Sequence, residues 1–178
     1  MRLFAILVAL LISSCASIPL STIARFSTFN AQTIARLDPS QIRVRVAVPI
    51  GYEINTAKSQ LTISLESKAG TIIERALELR NLGVTKSKRS AGWFSKDIPV
   101  NSYDFTLTSK GSQSLAQLQR FSLAEEMKNF NFRVGSQFAS IPANARSVYI
   151  WADIKLADSD PYIKLIDAGK IEFDQKRG

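Results

Sequence analysis

The run Ile42-Arg43-Val44-Arg45-Val46-Ala47-Val48 alternates without a fault. Ile42, Val44, Val46 and Val48 fall on one face, and Arg43, Arg45 and Ala47 on the other. Successive side chains point to opposite faces only in a β-strand, so this pattern predicts a strand with one face on a core. Pro49-Ile50-Gly51 ends it with residues that leave a ladder and make turns. The pattern recurs along the chain. Leu61, Ile63 and Leu65 alternate with Thr62, Ser64 and Glu66 before Ala69-Gly70. Tyr103, Phe105 and Leu107 alternate with Asp104, Thr106 and Thr108. Val148, Ile150, Ala152 and Ile154 alternate with Tyr149, Trp151, Asp153 and Lys155. Each is a short strand bounded by turn formers.

Other segments are less one-sided. In residues 71–82, Ile73, Leu77 and Arg80 fit a helix face, whereas Ile73, Arg75, Leu77 and Leu79 fit a strand. The position directly after Ala69-Gly70 suggests a hairpin with Leu61–Leu65, and we read a strand. A helix is predicted through Leu115, Leu118, Phe121 and Met127, with Ser112-Gln113-Ser114 at its start. Ser122 and Glu125 have the spacing of a second capping box. Phe130, Phe132 and Val134 form another short alternation, and residues 162–173 offer one or two strands around Ala168-Gly169. Residues 21–37 carry two patterns. Ile23-Ala24-Arg25-Phe26 reads as a strand start, and Ile34 and Leu37 read as a helical turn stopped by Asp38-Pro39. The expected fold is mainly β: an antiparallel β-sandwich or curled sheet with one packed amphipathic helix.

The chain opens with Arg2 and an unbroken apolar run, Leu3 to Ile12, followed by small residues. This is the layout of a secretory signal peptide, and the run is too short for a bilayer core that needs roughly twenty residues. Ile12-Ser13-Ser14-Cys15 resembles the lipobox of bacterial lipoproteins: an aliphatic residue, two small ones, then a cysteine. The resemblance covers these first residues. It implies a signal peptide at 1–14 and a diacylglycerol thioether on Cys15, the chain's single cysteine, with palmitate among the acyl chains. It further implies a cell-envelope protein. Ala16 stands where an inner-membrane protein of enteric type would carry aspartate, which implies the periplasmic face of the outer membrane. Several acyl chains make release negligible, whereas one gives only marginal binding. Residues 15–20 are then the lipidated cysteine and a short tether reaching ~20 Å, and residues 21–178 a single β-rich domain. Leu37-Asp38-Pro39 before Arg43-Val44-Arg45-Val46 is similar to small proteobacterial lipoproteins, a likeness that implies no activity.

Several chemistries are missing from the residues. The chain has no histidine, which excludes Ser-His-Asp and Cys-His catalysis and His-based zinc sites. Lipid on Cys15 would remove the one thiol. Neither a nucleophile elbow nor a phosphate-cradling glycine loop occurs. Glu125 and Glu126 are adjacent on the predicted helix and diverge by about 100°. Asp158-Ser159-Asp160-Pro161 supplies two carboxylates where calcium takes six or more oxygens, so it reads as a solvated turn. No catalytic residue, cofactor or metal is assigned.

What remains is binding. The formal net charge is +8, which favours anionic neighbours on a membrane; export makes nucleic acid an unsuitable partner. Residues 85–96 hold Lys86, Lys88, Arg89, Trp93, Phe94 and Lys96 without an acidic residue. We read this stretch as a long loop between strands and its six residues as candidate contacts to anionic lipid headgroups or an acidic envelope protein. A solvated loop with its aromatics folded back on the sheet is the plainer alternative. Arg43 and Arg45 either extend that basic face or form the wet side of their strand. Tyr149 and Trp151 either line a groove or pack under the helix, and we favour the helix. The functional expectation is a non-enzymatic interaction or scaffolding domain. A carrier for a lipid or small apolar ligand would need a roomy apolar pocket, and a carboxylate-dependent envelope enzyme would need two carboxylates converging in a cleft.

Overall fold

The computed structural model describes residues 30–92 and 95–173. The signal segment, Cys15, its tether, residues 23–26, Trp93 and Phe94 lie outside them. Seven strands are described: β1 (Arg43–Pro49), β2 (Glu53–Ser67), β3 (Ile72–Arg89), β4 (Ile98–Leu107), β5 (Met127–Ser140), β6 (Ser147–Lys155) and β7 (Ile163–Glu172). They join in one sheet of order β5-β2-β3-β4-β1-β6-β7. Every neighbouring pair is antiparallel. Two helices, α1 (Ala31–Ala35) and α2 (Ser109–Ala124), complete the described elements.

The sheet curls until its outer strands nearly meet. Tyr52, Phe138 and Phe173 join across that seam, with ring centroids 5.7 to 6.4 Å apart. The Tyr52 hydroxyl donates to the Ser147 carbonyl at 3.2 Å. Inside the curl lie Val44, Val46 and Val48 of β1, Leu61, Ile63 and Leu65 of β2, Leu77 and Leu79 of β3, and Phe105 of β4. Ile34, Leu115 and Leu118 join them from the helices. The alternation in the sequence therefore places the core where it predicts.

Three expectations are corrected. The helix is capped earlier than Ser112: the Thr108 side chain accepts from the Gly111 N–H at 3.1 Å. It buries Leu115, Leu118 and Ser122, and ends at Ala124. Ser122 is thus an interior residue, not a second cap, and Met127 opens β5 opposite Ser67. A second, five-residue helix, α1, precedes the sheet. The Gln119 amide ties the two together by donating to the Leu37 carbonyl at 2.8 Å.

The second correction concerns residues 85–96. Thr85–Arg89 is strand, not loop: Thr85 faces Ser102, Ser87 faces Val100 and Arg89 faces Ile98. The stretch has no apolar face to reveal its period, but β4 supplies a ladder along its full length. A bulge between Asn81 and Gly83 separates this arm from the first half of β3. There the Asn81 side chain accepts from the Gly83 N–H at 2.7 Å, and Gly83 takes φ 151°, open to glycine and costly for other residues.

Third, Trp151 does not lie under α2. It faces the opposite side of the sheet with Ala47 and Val100, is covered by Ala91, and donates its indole N–H to the Ser90 carbonyl at 3.2 Å. The helix sits instead on the first half of β3. Gly111 makes that approach possible. A methyl group there would collide with the Glu78 carbonyl oxygen and stand 3.1 Å from the Glu78 nitrogen. Backbone on both sides cannot yield easily, so Gly111→Ala should cost about 2 kcal/mol. A urea midpoint unchanged from the parent chain would show that the helix can lift without loss.

Candidate functional site

The outward face of β3, β4, β1, β6 and β7 carries a polar network. Register brings Arg45 beside Asp104 on one side and Asp153 on the other. The Arg45 Nε donates to the Asp104 carboxylate at 2.8 Å. Its guanidinium also covers the Tyr162 ring, 4.4 Å from the centroid. Burial opposes the charge on Arg45, and the bond and charge of Asp104 outweigh it, so its pKa lies above the ordinary value. Asp153 is 3% exposed and held by the Arg89 guanidinium. Burial pushes its carboxyl pKa up, against the pull of Arg89. Burial likewise raises the Tyr162 phenol.

Arg45, Arg89, Asp153 and Tyr162 line an open groove of about 410 Å³, with Thr85, Ser87 and Ser102 along one wall. Arg89 and Lys164 also line an adjoining groove of about 440 Å³ over Trp151 and Ala168. Three ion pairs run through this face, Arg45 with Asp104, Arg89 with Asp153, and Lys164 with Asp167, and Lys88 at the groove's rim stands outside them. The Asp158–Asp160 turn stands elsewhere, where the Asp158 N–H donates to the Gln41 side chain at 3.1 Å.

Beside this network the sheet has an opening. β2 pairs with β3 only from Ile72 to Glu78. From Leu79 to Arg89, β3 runs with β4 alone. Residues 82–88 are all exposed, including Leu82 at 48% and Val84 at 50%. Leu79 to Arg89 contains Arg80, Lys86, Lys88 and Arg89 and no acidic residue.

The basic cluster read from sequence is therefore divided. Lys86 and Lys88 share a strand face with Val84, and among the described residues neither forms an ion pair. Arg89 points to the other face, where Asp153 holds it. Lys96 is exposed in the turn before β4. No protein family, curated protein or solved structure matches this chain. The geometry must therefore stand without a relative. Sequence reasoning missed Asp104, Asp153, Tyr162 and Lys164. The available signal was Asp153 itself, a carboxylate between Ala152 and Ile154 in the most apolar strand. Among the described residues no helix is long and apolar enough to cross a membrane, and no group of three or more acidic, histidine or cysteine side chains is placed to hold a metal.

Proposed function

We propose that this chain is a lipid-anchored envelope protein, held by Cys15 at the periplasmic face of the outer membrane, whose domain acts by binding another macromolecule. The anchor rests on Ile12-Ser13-Ser14-Cys15 and the apolar segment before it. The observation that supports binding is the exposed, acid-free arm of β3, an open edge whose unpaired N–H and C=O groups can template another strand. The groove carboxylates each meet a cation rather than one another, which is poor preparation for acid–base work. Both outer-face grooves are open and carry charged side chains, which suits a lipid carrier badly.

The native protein should fractionate with membranes and incorporate labelled palmitate. Cys15→Ser should lose both, because only the thiol forms the thioether. Palmitate labelling that survives this substitution would overturn the anchor. Affinity purification of the intact lipoprotein should recover a stable partner, and its repeated absence would overturn the interaction reading.

A further inference from the structure

We infer that the free edge of β3, from Arg80 to Lys88, takes an extended acidic segment of a partner protein by strand addition. This deepens the interaction-domain reading above and rests on it. The backbone is the first reason. Past Glu78 the ladder has β4 on one side only, and beyond the bulge at Asn81–Gly83 alternate N–H and C=O groups from Val84 to Lys88 face outward along an exposed arm. Such an edge is a ready template for another strand.

Charge selects the occupant. A second copy of this chain, paired edge to edge in antiparallel fashion about Ser87, would set Lys86 opposite Lys88. Like charges opposite one another oppose pairing. The same lysines attract a strand with Glu or Asp at alternate positions. Leu82 and Val84 offer the incoming strand apolar cover, and the face bearing Thr85 and Ser87 opens onto the polar groove. Arg89 contributes less, since Asp153 holds it.

The arm stands apart from the first described residues. The described chain begins at Asn30, beside α1, and α1 packs on α2. From its contact with Glu78, α2 runs along β3 toward Arg75, away from the arm. The β3–β4 turn lies at the opposite end of β4 from α2. The arm therefore projects away from Asn30 and α1.

The test uses the full chain in non-ionic detergent and a fluorescein-labelled peptide of alternating Glu and Val. Fluorescence anisotropy should report saturable binding that weakens as salt rises. The double variant K86E/K88E should bind about tenfold more weakly, a difference of about 1.4 kcal/mol. N-methylation of alternate peptide amides should abolish binding on at least one of the two alternations, because a strand bonds through one set. Amide exchange should slow within residues 80–88. Equal binding by both N-methylated peptides would overturn the inference, since charge alone would then suffice. So would absence of peptide binding, or binding only to phosphatidylglycerol vesicles. A photoreactive amino acid at position 84 of the lipoprotein in its host separates the two levels. If the purified partner is recovered but never crosslinks from that position, the edge assignment falls while the interaction reading stands.

Discussion

Val46→Asp is expected to leave the chain unfolded at pH 7. Val46 is 5% exposed in the central strand β1, between Tyr103 of β4 and Ala152 of β6. It belongs to the core cluster of buried aliphatic and aromatic side chains. Burying a carboxylate without a partner, whether ionised or protonated against pH 7, costs several kcal/mol, comparable with the roughly 5–15 kcal/mol by which a typical domain is stable. Val46→Ala is the size control, with an expected loss of about 2 kcal/mol. Arg45→Asp, one residue away, tests the other face. It would bring a third carboxylate between Asp104 and Asp153 and strip the cover from Tyr162. We expect that variant to remain folded but to lose about 2 kcal/mol. Far-ultraviolet circular dichroism and urea titration distinguish these cases. A native spectrum for Val46→Asp at pH 7 would contradict the placement of β1 in the core.

The strands that could be read from sequence were those with one wet and one dry face. Val44, Val46 and Val48, or Leu61, Ile63 and Leu65, mark the inside of the curl by period alone. The arm of β3 has no dry face. Thr85, Lys86, Ser87, Lys88 and Arg89 look like a loop because hydrophobicity is flat along them, and only the distant β4 makes them a strand. The helix start was hidden for another reason. Thr108 caps α2 because Gly111 lets the helix settle on Glu78, a contact made across the fold. Local patterns carry no trace of it, so Ser112 and Ser114 looked equally suitable.

The outer-face network was legible only in fragments. Arg45 was visible as a cation on the face opposite the valines, but its partners come from β4 and from the segment before β7. Their sequence distances of 59 residues to Asp104 and 58 from Asp104 to Tyr162 put them beyond any local reading. Trp151 was assigned to the helix because large aromatics usually serve the main core. Here the sheet has a second, small apolar cluster on its outer side, closed by Ala91 and Ala168. Arg89 shows how composition misleads: it belongs to a basic run, yet its charge serves the interior of the network.

That assignment makes Arg89→Met the more informative substitution. It should destabilise the chain by about 3 kcal/mol at pH 7, the size expected when one partner of a buried pair is removed. The Asp153 side chain is 5% exposed and would keep its charge without its nearest cation. Its carboxyl pKa is already raised in the folded chain, with burial the largest cause and Arg89 the main opposing influence. Removing Arg89 raises it further. A raised carboxyl in the native state means that the folded chain binds the proton more tightly than the unfolded chain does. The associated stability is full below the ordinary carboxylate range and is lost as pH rises through the folded value. The deficit of Arg89→Met should therefore be complete at neutral pH and shrink as the solution is acidified toward pH ~4. Replacing both partners, in Arg89→Met with Asp153→Leu, should restore most of the loss and remove this difference in pH dependence, because no unpaired charge stays buried. Urea midpoints of the parent, the single variant and the double variant at several pH values decide the matter. An Arg89→Met deficit independent of pH would mean that Asp153 is satisfied without Arg89. A double variant as weak as the single one would mean that packing, not charge, made the pair necessary.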